Sequence, residues 1–180
     1  MPQPILLESG IELHPVQIAD AVELYEAIDR NRVRLGQWLA WATANYCLED
    51  TARFLADRMV ENEARIALTL VIRHKGRLCG SIGLHRFDPR NRSSSIGYWI
   101  DAESEGQGMI TQACRAIVNA GFSEYGLHRI EIRCASANQR SAAVPLRLGF
   151  HEEGLLREAE WLYDHFVDLR VFSRLQTDTK

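Results

Sequence analysis

The stretch DAESEGQGMITQACRAIV, residues 101–118, constrains the fold of this chain more than any other. Before it, SSSIGYWID has the character of a strand; within it, apolar residues return at helical spacing. Between the two stand Gly106 and Gly108. Glycine is costly at a helix start unless the backbone itself is needed there. The first N–H groups of a helix have no partner within it, and the helix dipole adds positive potential at that end. A strand that runs through G-x-G into a helix is therefore either a plain connecting turn or an anion site suited to a phosphate. Two other phosphate loops do not fit. A dinucleotide loop needs G-x-G-x-x-G after the first strand of a parallel unit, whereas here no third glycine follows at that spacing and three strands precede. A Walker loop needs G-K-[ST], where this chain has GMIT.

Around the loop the apolar pattern changes period several times. GIELHPV alternates as a first strand, and Ile18 to Asn31 has the spacing of a helix. VRLGQWLAWA brings Leu35, Trp38, Leu39 and Trp41 together in a helical turn, and LEDTARFLADRMVEN is a second helix. IALTLVIRHKGRLCGSIGLHRFD predicts two strands turning at HKG. After the glycine loop come a long helix with Gly126 as its C-cap, the strand HRIEIRCAS, a short helix in NQRSAAVPLRLGF, and two strands around YDH. The order βααβββαβαββ predicts one α/β domain over residues 1–180, with a mixed, mostly antiparallel sheet of about seven strands and about four helices.

Composition narrows the function. The net charge of −3 and pI near 6.1 leave no basic footprint for nucleic acid, and no polybasic run suits a membrane surface. The four cysteines lack CxxC spacing and read as reduced thiols. With no signal-like N-terminus and no apolar run of spanning length, a cytoplasmic location is expected. The six histidines show no HxxxH or HExxH spacing, so no metal is expected.

SIGYWID, EGQGMIT and NQRSAAVPLRLGF, in this order and spacing, resemble the GNAT acetyltransferase superfamily. VRLGQWLAW and LEDTARFL are similar to segments of its RimJ/RimL branch, and the likeness extends from about Ile11 to Leu175. Total length and the AEWL segment point within that branch to the enzymes that acetylate a ribosomal protein's N-terminal serine. The resemblance implies acetyl-CoA as donor and a twisted sheet whose central strands splay. Backbone amides of Gly106, Gln107, Gly108, Ile110 and Thr111 would hold the pyrophosphate. The exposed backbone near Trp99 and Ile100 would pair with the pantetheine arm. Asn138 would hydrogen-bond that arm, cap a helix, or do both. Two residues depart from the family's loop: Glu105 stands where Gln or Arg is usual, and Ile110 where Gly or Ala is usual. An anion beside a pyrophosphate is unfavourable, so Glu105 is expected to turn out to solvent, where it suits the helix dipole.

Acetyl transfer to an amine needs a neutral amine, a polarised thioester carbonyl and a proton for the leaving thiolate. Glu160 in REAEWLYD is the candidate base; Glu158 has the same strand parity and competes with it. A surface glutamate is the plain alternative. The tyrosine that many members carry in the helix after N-x-x-A is replaced here by Pro145. Ser141, one turn after Asn138, is then assigned to donate a hydrogen bond or proton to the CoA sulfur, against the plain reading of a first-turn serine. Pro145 also removes the helix bond to the Ser141 carbonyl, so a distorted helix is expected. Trp38 and Trp41 would wall the acceptor site or belong to the core, and Tyr98 or Trp99 would wall the cofactor tunnel. Cys134 is either a small buried hydrophobe or a thiol able to form a mixed disulfide with CoA. Asp168 is expected to be a structural acceptor. The acceptor is a protein N-terminus, or else a polyamine, amino acid or aminoglycoside; a non-catalytic acyl-CoA sensor is the remaining reading. By resemblance a homodimer is expected, with the last strands or the Trp-rich segment near its interface.

Overall fold

A computed structural model describes residues 3–178. Lys75 and Gly76 turn the chain with φ of 52° and 79°, the double left-handed geometry of a two-residue hairpin. They join β3 (Leu68–His74) to β4 (Arg77–Asp88). The other strands are β1 (Ile5–Leu6), β2 (Ile11–Pro15), β5 (Ser93–Ile100), β6 (Arg129–Ala135), β7 (His151–Leu162) and β8 (His165–Leu175). Together they form one eight-stranded sheet in the order β1-β2-β3-β4-β5-β6-β8-β7. Only the β5–β6 pair is parallel. The strand beyond the expected seven is β1, where Ile5 and Leu6 pair with Leu13 and Glu12.

The helices are α1 (Ala21–Arg30), α2 (Arg32–Gly36), α3 (Leu48–Glu63), α4 (Met109–Ser123) and α5 (Gln139–Arg147). The fifth, α2, is the expected helical turn before Trp38. One apolar cluster unites Leu70, Ile82, Leu84, Ile130 and Phe172 with Ile117 of α4 and Val144 of α5; the other unites Leu24, Ile28, Leu35, Leu55, Val71 and Trp99. Strand alternation sends successive side chains to opposite clusters: Leu70 and Ile72 to the first, Val71 to the second. Helix α4 sits tight on the sheet at Gly121, where a Cβ would come within 2.7 Å of the Ile130 side chain. After α4, Gly126 takes φ 63°, and the Leu127 N–H returns to the Gly121 carbonyl.

The sheet opens in its middle. β5 and β6 pair only from Ser93–Arg129 to Ile96–Ile132. Beyond that, β5 stays with β4 through Ile100, while β6 follows β8 through Ala135. Each strand keeps its antiparallel partner, so the parallel pair parts and leaves a wedge.

Candidate active site

A cleft of about 1870 Å³ occupies the wedge. Gly97 to Ile100 line it from β5, Cys134 and Ala135 from β6, and Asn138 to Ser141 from the start of α5. The glycine loop, Trp38, Trp41, His85 and Glu160 complete its walls.

The loop is anchored by Asp101, whose side chain is buried. Its carboxylate accepts hydrogen bonds from Arg30 at 2.7 and 2.9 Å, Arg77 at 2.6 Å and Asn31 at 3.1 Å. Burial alone would raise this carboxyl, but the bonds from Asn31, Arg30 and Arg77 hold it down at about 2. Asn31 in turn accepts the Ala102 N–H at 2.9 Å, so the chain leaves β5 in a defined direction.

Gly106 and Gly108 both have φ of 73°, a left-handed conformation that L side chains rarely adopt. A Cβ at either would meet nothing within 4 Å. The backbone conformation, and not crowding inside the protein, therefore demands glycine, and the space above the loop is open. The first bond of α4 runs from the Gln112 N–H to the Gly108 carbonyl at 3.0 Å. The N–H groups of Met109, Ile110 and Thr111 thus have no acceptor within the helix. This cradle fits a pyrophosphate. The Gln107 side chain turns back to the Glu103 carbonyl at 3.0 Å.

Glu105 is not turned out to solvent as expected. It is about a quarter exposed, lines the cleft, and is paired with Arg34 and, at 2.5 Å, with Arg140. Two arginines from distant parts of the chain thus neutralise the carboxylate that the loop brings in. Arg34 also donates to the carbonyl of Ile100. Of the two backbone positions expected to pair with a pantetheine arm, Ile100 therefore has its carbonyl engaged from within the protein.

Asn138 caps α5: its side-chain oxygen accepts the Ser141 N–H at 3.1 Å. Asn138 also lines the cleft. The α5 span continues through Pro145, and the helix bond to the Ser141 carbonyl is missing there as expected. The Ser141 carbonyl, which Pro145 cannot serve, accepts instead from the Tyr98 hydroxyl at 3.0 Å.

Glu160 lines the cleft and Glu158 does not. The expected equal parity fails because β7 bulges between Leu156 and Glu160, with Glu158 at φ 49°. Asp168 holds that bulge, its carboxylate accepting the Glu158 N–H at 2.8 Å. Trp38 and Trp41 stand at the cleft wall, with Trp41 packed 5.5 Å from Tyr46. Tyr163, in the β7–β8 turn, donates to the Leu39 carbonyl at 3.0 Å and ties this segment to the last hairpin.

Cys134 is buried at the cleft wall; burial pushes its thiol up, and a contact with the Ser141 hydroxyl pulls the other way. Burial likewise holds His85 below the usual histidine range, helped by the charge of Arg86. Sequence reasoning missed Arg34, Arg140, Tyr163 and His85. Tyr98 was noticed only as a wall. Among the described residues no group of His, Cys, Asp and Glu has the arrangement of a metal site, and no helix is long and apolar enough to cross a membrane.

The acetyltransferase (GNAT) domain family matches residues 11–151. The "Putative ribosomal N-acetyltransferase YdaF" of Bacillus subtilis (strain 168) is 38% identical over 170 residues, 93% of this chain and 92% of that one. The ribosomal-protein-serine acetyltransferase of Escherichia coli (strain K12) is 33% identical, covering 97% and 98% of the two chains. A solved structure of the ribosomal L7/L12 α-N-protein acetyltransferase RimL, bound to coenzyme A through a cysteine disulfide, superposes with a TM-score of 0.92 at 25% identity, over 96% of this chain and 98% of that one.

Proposed function

The chain belongs to the acetyltransferase (GNAT) family and is an acetyl-CoA-dependent N-acetyltransferase, and on that premise we propose that its acceptor is the N-terminal α-amine of a protein, of the ribosomal kind. The observation that carries this reading is a single cleft that takes in the glycine loop, Ser141 and Glu160. The relatives named for ribosomal acetylation, at 33% and 38% identity, support the same acceptor class.

Acetyl-CoA, when bound, supplies the thioester carbonyl that the amine attacks. The backbone N–H groups of Gly106, Gln107, Gly108, Ile110 and Thr111 hold the pyrophosphate. Trp99 and the free edge of β5 beyond Ile96 guide the pantetheine arm, with Asn138 as its side-chain partner. Trp38 and Trp41 wall the acceptor end. Glu160 takes a proton from the incoming ammonium; an α-amine titrates near 7.7–8.0, against about 10.4 for lysine, so one carboxylate suffices. The nitrogen–carbon bond forms and the carbon–sulfur bond breaks. The remaining extra proton of the nitrogen ends on the leaving sulfur by relay through Ser141. The serine gives its own proton to the sulfur and takes the nitrogen's in return, so the sulfur leaves as the thiol and the serine stays neutral. Cys134, which lines the same wall as Ser141, would form a mixed disulfide by exchange with CoA disulfide, releasing one CoA thiol; the cysteine–CoA disulfide of the related structure supports this reading.

The protein works in the cytoplasm as a homodimer. The edge position of β7, with Leu155 and Leu156 exposed, supports pairing through the last strands; sedimentation would show a monomer if this is wrong. The function is tested by CoA release with a panel of N-terminal peptides, the same peptides with blocked N-termini and an internal lysine, and polyamines. Turnover confined to free N-termini is expected. Turnover on polyamines alone would make it a small-amine acetyltransferase, and CoA binding without any turnover would make it a sensor.

A further inference from the structure

An α-helix bonds each N–H to the carbonyl four residues back. At position 145 proline has no N–H, so the carbonyl of Ser141 loses its helical donor. That carbonyl belongs to a half-buried residue that lines the cleft. A partner comes from another element: Tyr98 of β5 reaches across the wedge and places its hydroxyl 3.0 Å from the Ser141 carbonyl and 3.1 Å from the Ser141 Oγ. The two residues are 43 positions apart.

The geometry points to Tyr98 as a positioning residue for acetyl transfer, replacing the helix bond that Pro145 cannot make and setting the direction of the Ser141 hydroxyl. This rests on the role proposed above for Ser141. The proton count supports it. A phenol carries one proton. When Tyr98 donates it to the Ser141 carbonyl, its oxygen can only accept from Ser141, and the serine proton points away from the cleft. When Tyr98 donates to the Ser141 Oγ instead, the serine proton is free to point into the cleft. The two arrangements differ by rotation of two hydroxyls, with no covalent bond made or broken. Negative charge on a leaving sulfur favours the second, so Ser141 donates where charge develops. Tyr98 keeps its proton throughout, since burial holds its phenol far above the usual range.

Pro145 makes the test specific. Tyr98→Phe should lower kcat about tenfold, leave the KM for acetyl-CoA within about twofold, and raise the thiol pKa of bound CoA, read from thiolate absorbance. Ser141→Ala should do the same, and adding Tyr98→Phe to it should cost little more. Pro145→Ala restores an N–H facing the Ser141 carbonyl. In the Tyr98→Phe background it should recover the stability lost with the carbonyl bond but little of kcat, because the Ser141 Oγ still lacks its donor. Alone it frees Tyr98 for the Oγ and should leave kcat at or above that of the parent. If the loss came only from a loosened helix, Pro145→Ala would restore kcat as well, and the role of Tyr98 would be overturned. Parent-like kcat and CoA thiol pKa in Tyr98→Phe, with Ser141→Ala impaired, would overturn the role of Tyr98 alone. If Ser141→Ala changes neither quantity, the role of Ser141 fails and that of Tyr98 with it. A Pro145→Ala protein impaired more than tenfold would also overturn it.

Discussion

Replacing Asp101 by asparagine removes the charge that holds the exit of β5 in front of the glycine loop. The size of the effect follows from the site. The carboxyl is held at about 2, against an ordinary 3.8; at 1.36 kcal/mol per pKa unit this is worth roughly 2.4 kcal/mol. Its side chain is only 2% exposed, so solvent screens it little. The asparagine leaves Arg30 and Arg77 without their carboxylate, but these are 38% and 46% exposed and regain water. The cost should therefore lie near 2–3 kcal/mol, at or below the low end for a broken buried pair. The sign is set by a carboxyl whose folded pKa is depressed. Its contribution is complete above about pH 5 and fades as the pH falls through 4 toward 2. Urea unfolding at several pH values measures it. The parent should exceed Asp101→Asn by about 2–3 kcal/mol at pH 7, and the gap should close by about pH 2. A gap below about 0.5 kcal/mol at pH 7, or one as large at pH 2 as at pH 7, would refute the reasoning.

Three further outcomes are expected. Glu105→Gln leaves Arg34 and Arg140 without their carboxylate, so CoA should bind about three- to tenfold tighter at low salt, with the gain shrinking as salt rises; calorimetry decides, and weaker binding would show that the glutamate orders the loop. Gly108→Ala puts a Cβ on a residue at φ 73°, costing about 1–2 kcal/mol of backbone strain, and CoA affinity should fall more than urea stability does. Formation of a mixed disulfide between Cys134 and CoA disulfide, followed by mass, should be slow at pH 7 and accelerate above the usual thiol range, because the thiol is raised by burial.

Local signals were readable in the sequence and distant pairings were not. Gly106 and Gly108 marked the loop before α4, although their φ of 73° and not only room for an anion demands glycine there, and HKG and YDH each carried a turn at its actual place. Asn138 was legible as a cap by its position before a helix. Glu105 was misjudged because its partner Arg34 lies 71 residues away, and no periodicity links the two. Glu158 was given the same strand parity as Glu160, but strict alternation holds only where a strand has no bulge, and Asp168 from the neighbouring strand bonds within the bulge here. Pro145 correctly signalled a lost bond to Ser141. The remedy lay in Tyr98, whose reach depends on how far β5 and β6 part.

The central step of the proposed chemistry is deprotonation of an amine at Glu160 within the cleft that holds the glycine loop. The most direct test is the pH dependence of kcat/KM for an N-terminal peptide, in the parent and in Glu160→Gln. Glu160→Gln should lose about 10²–10³-fold near neutral pH, easing as rising pH deprotonates the peptide amine without help. A Glu160→Gln enzyme with the parent's rate and pH profile would contradict that step.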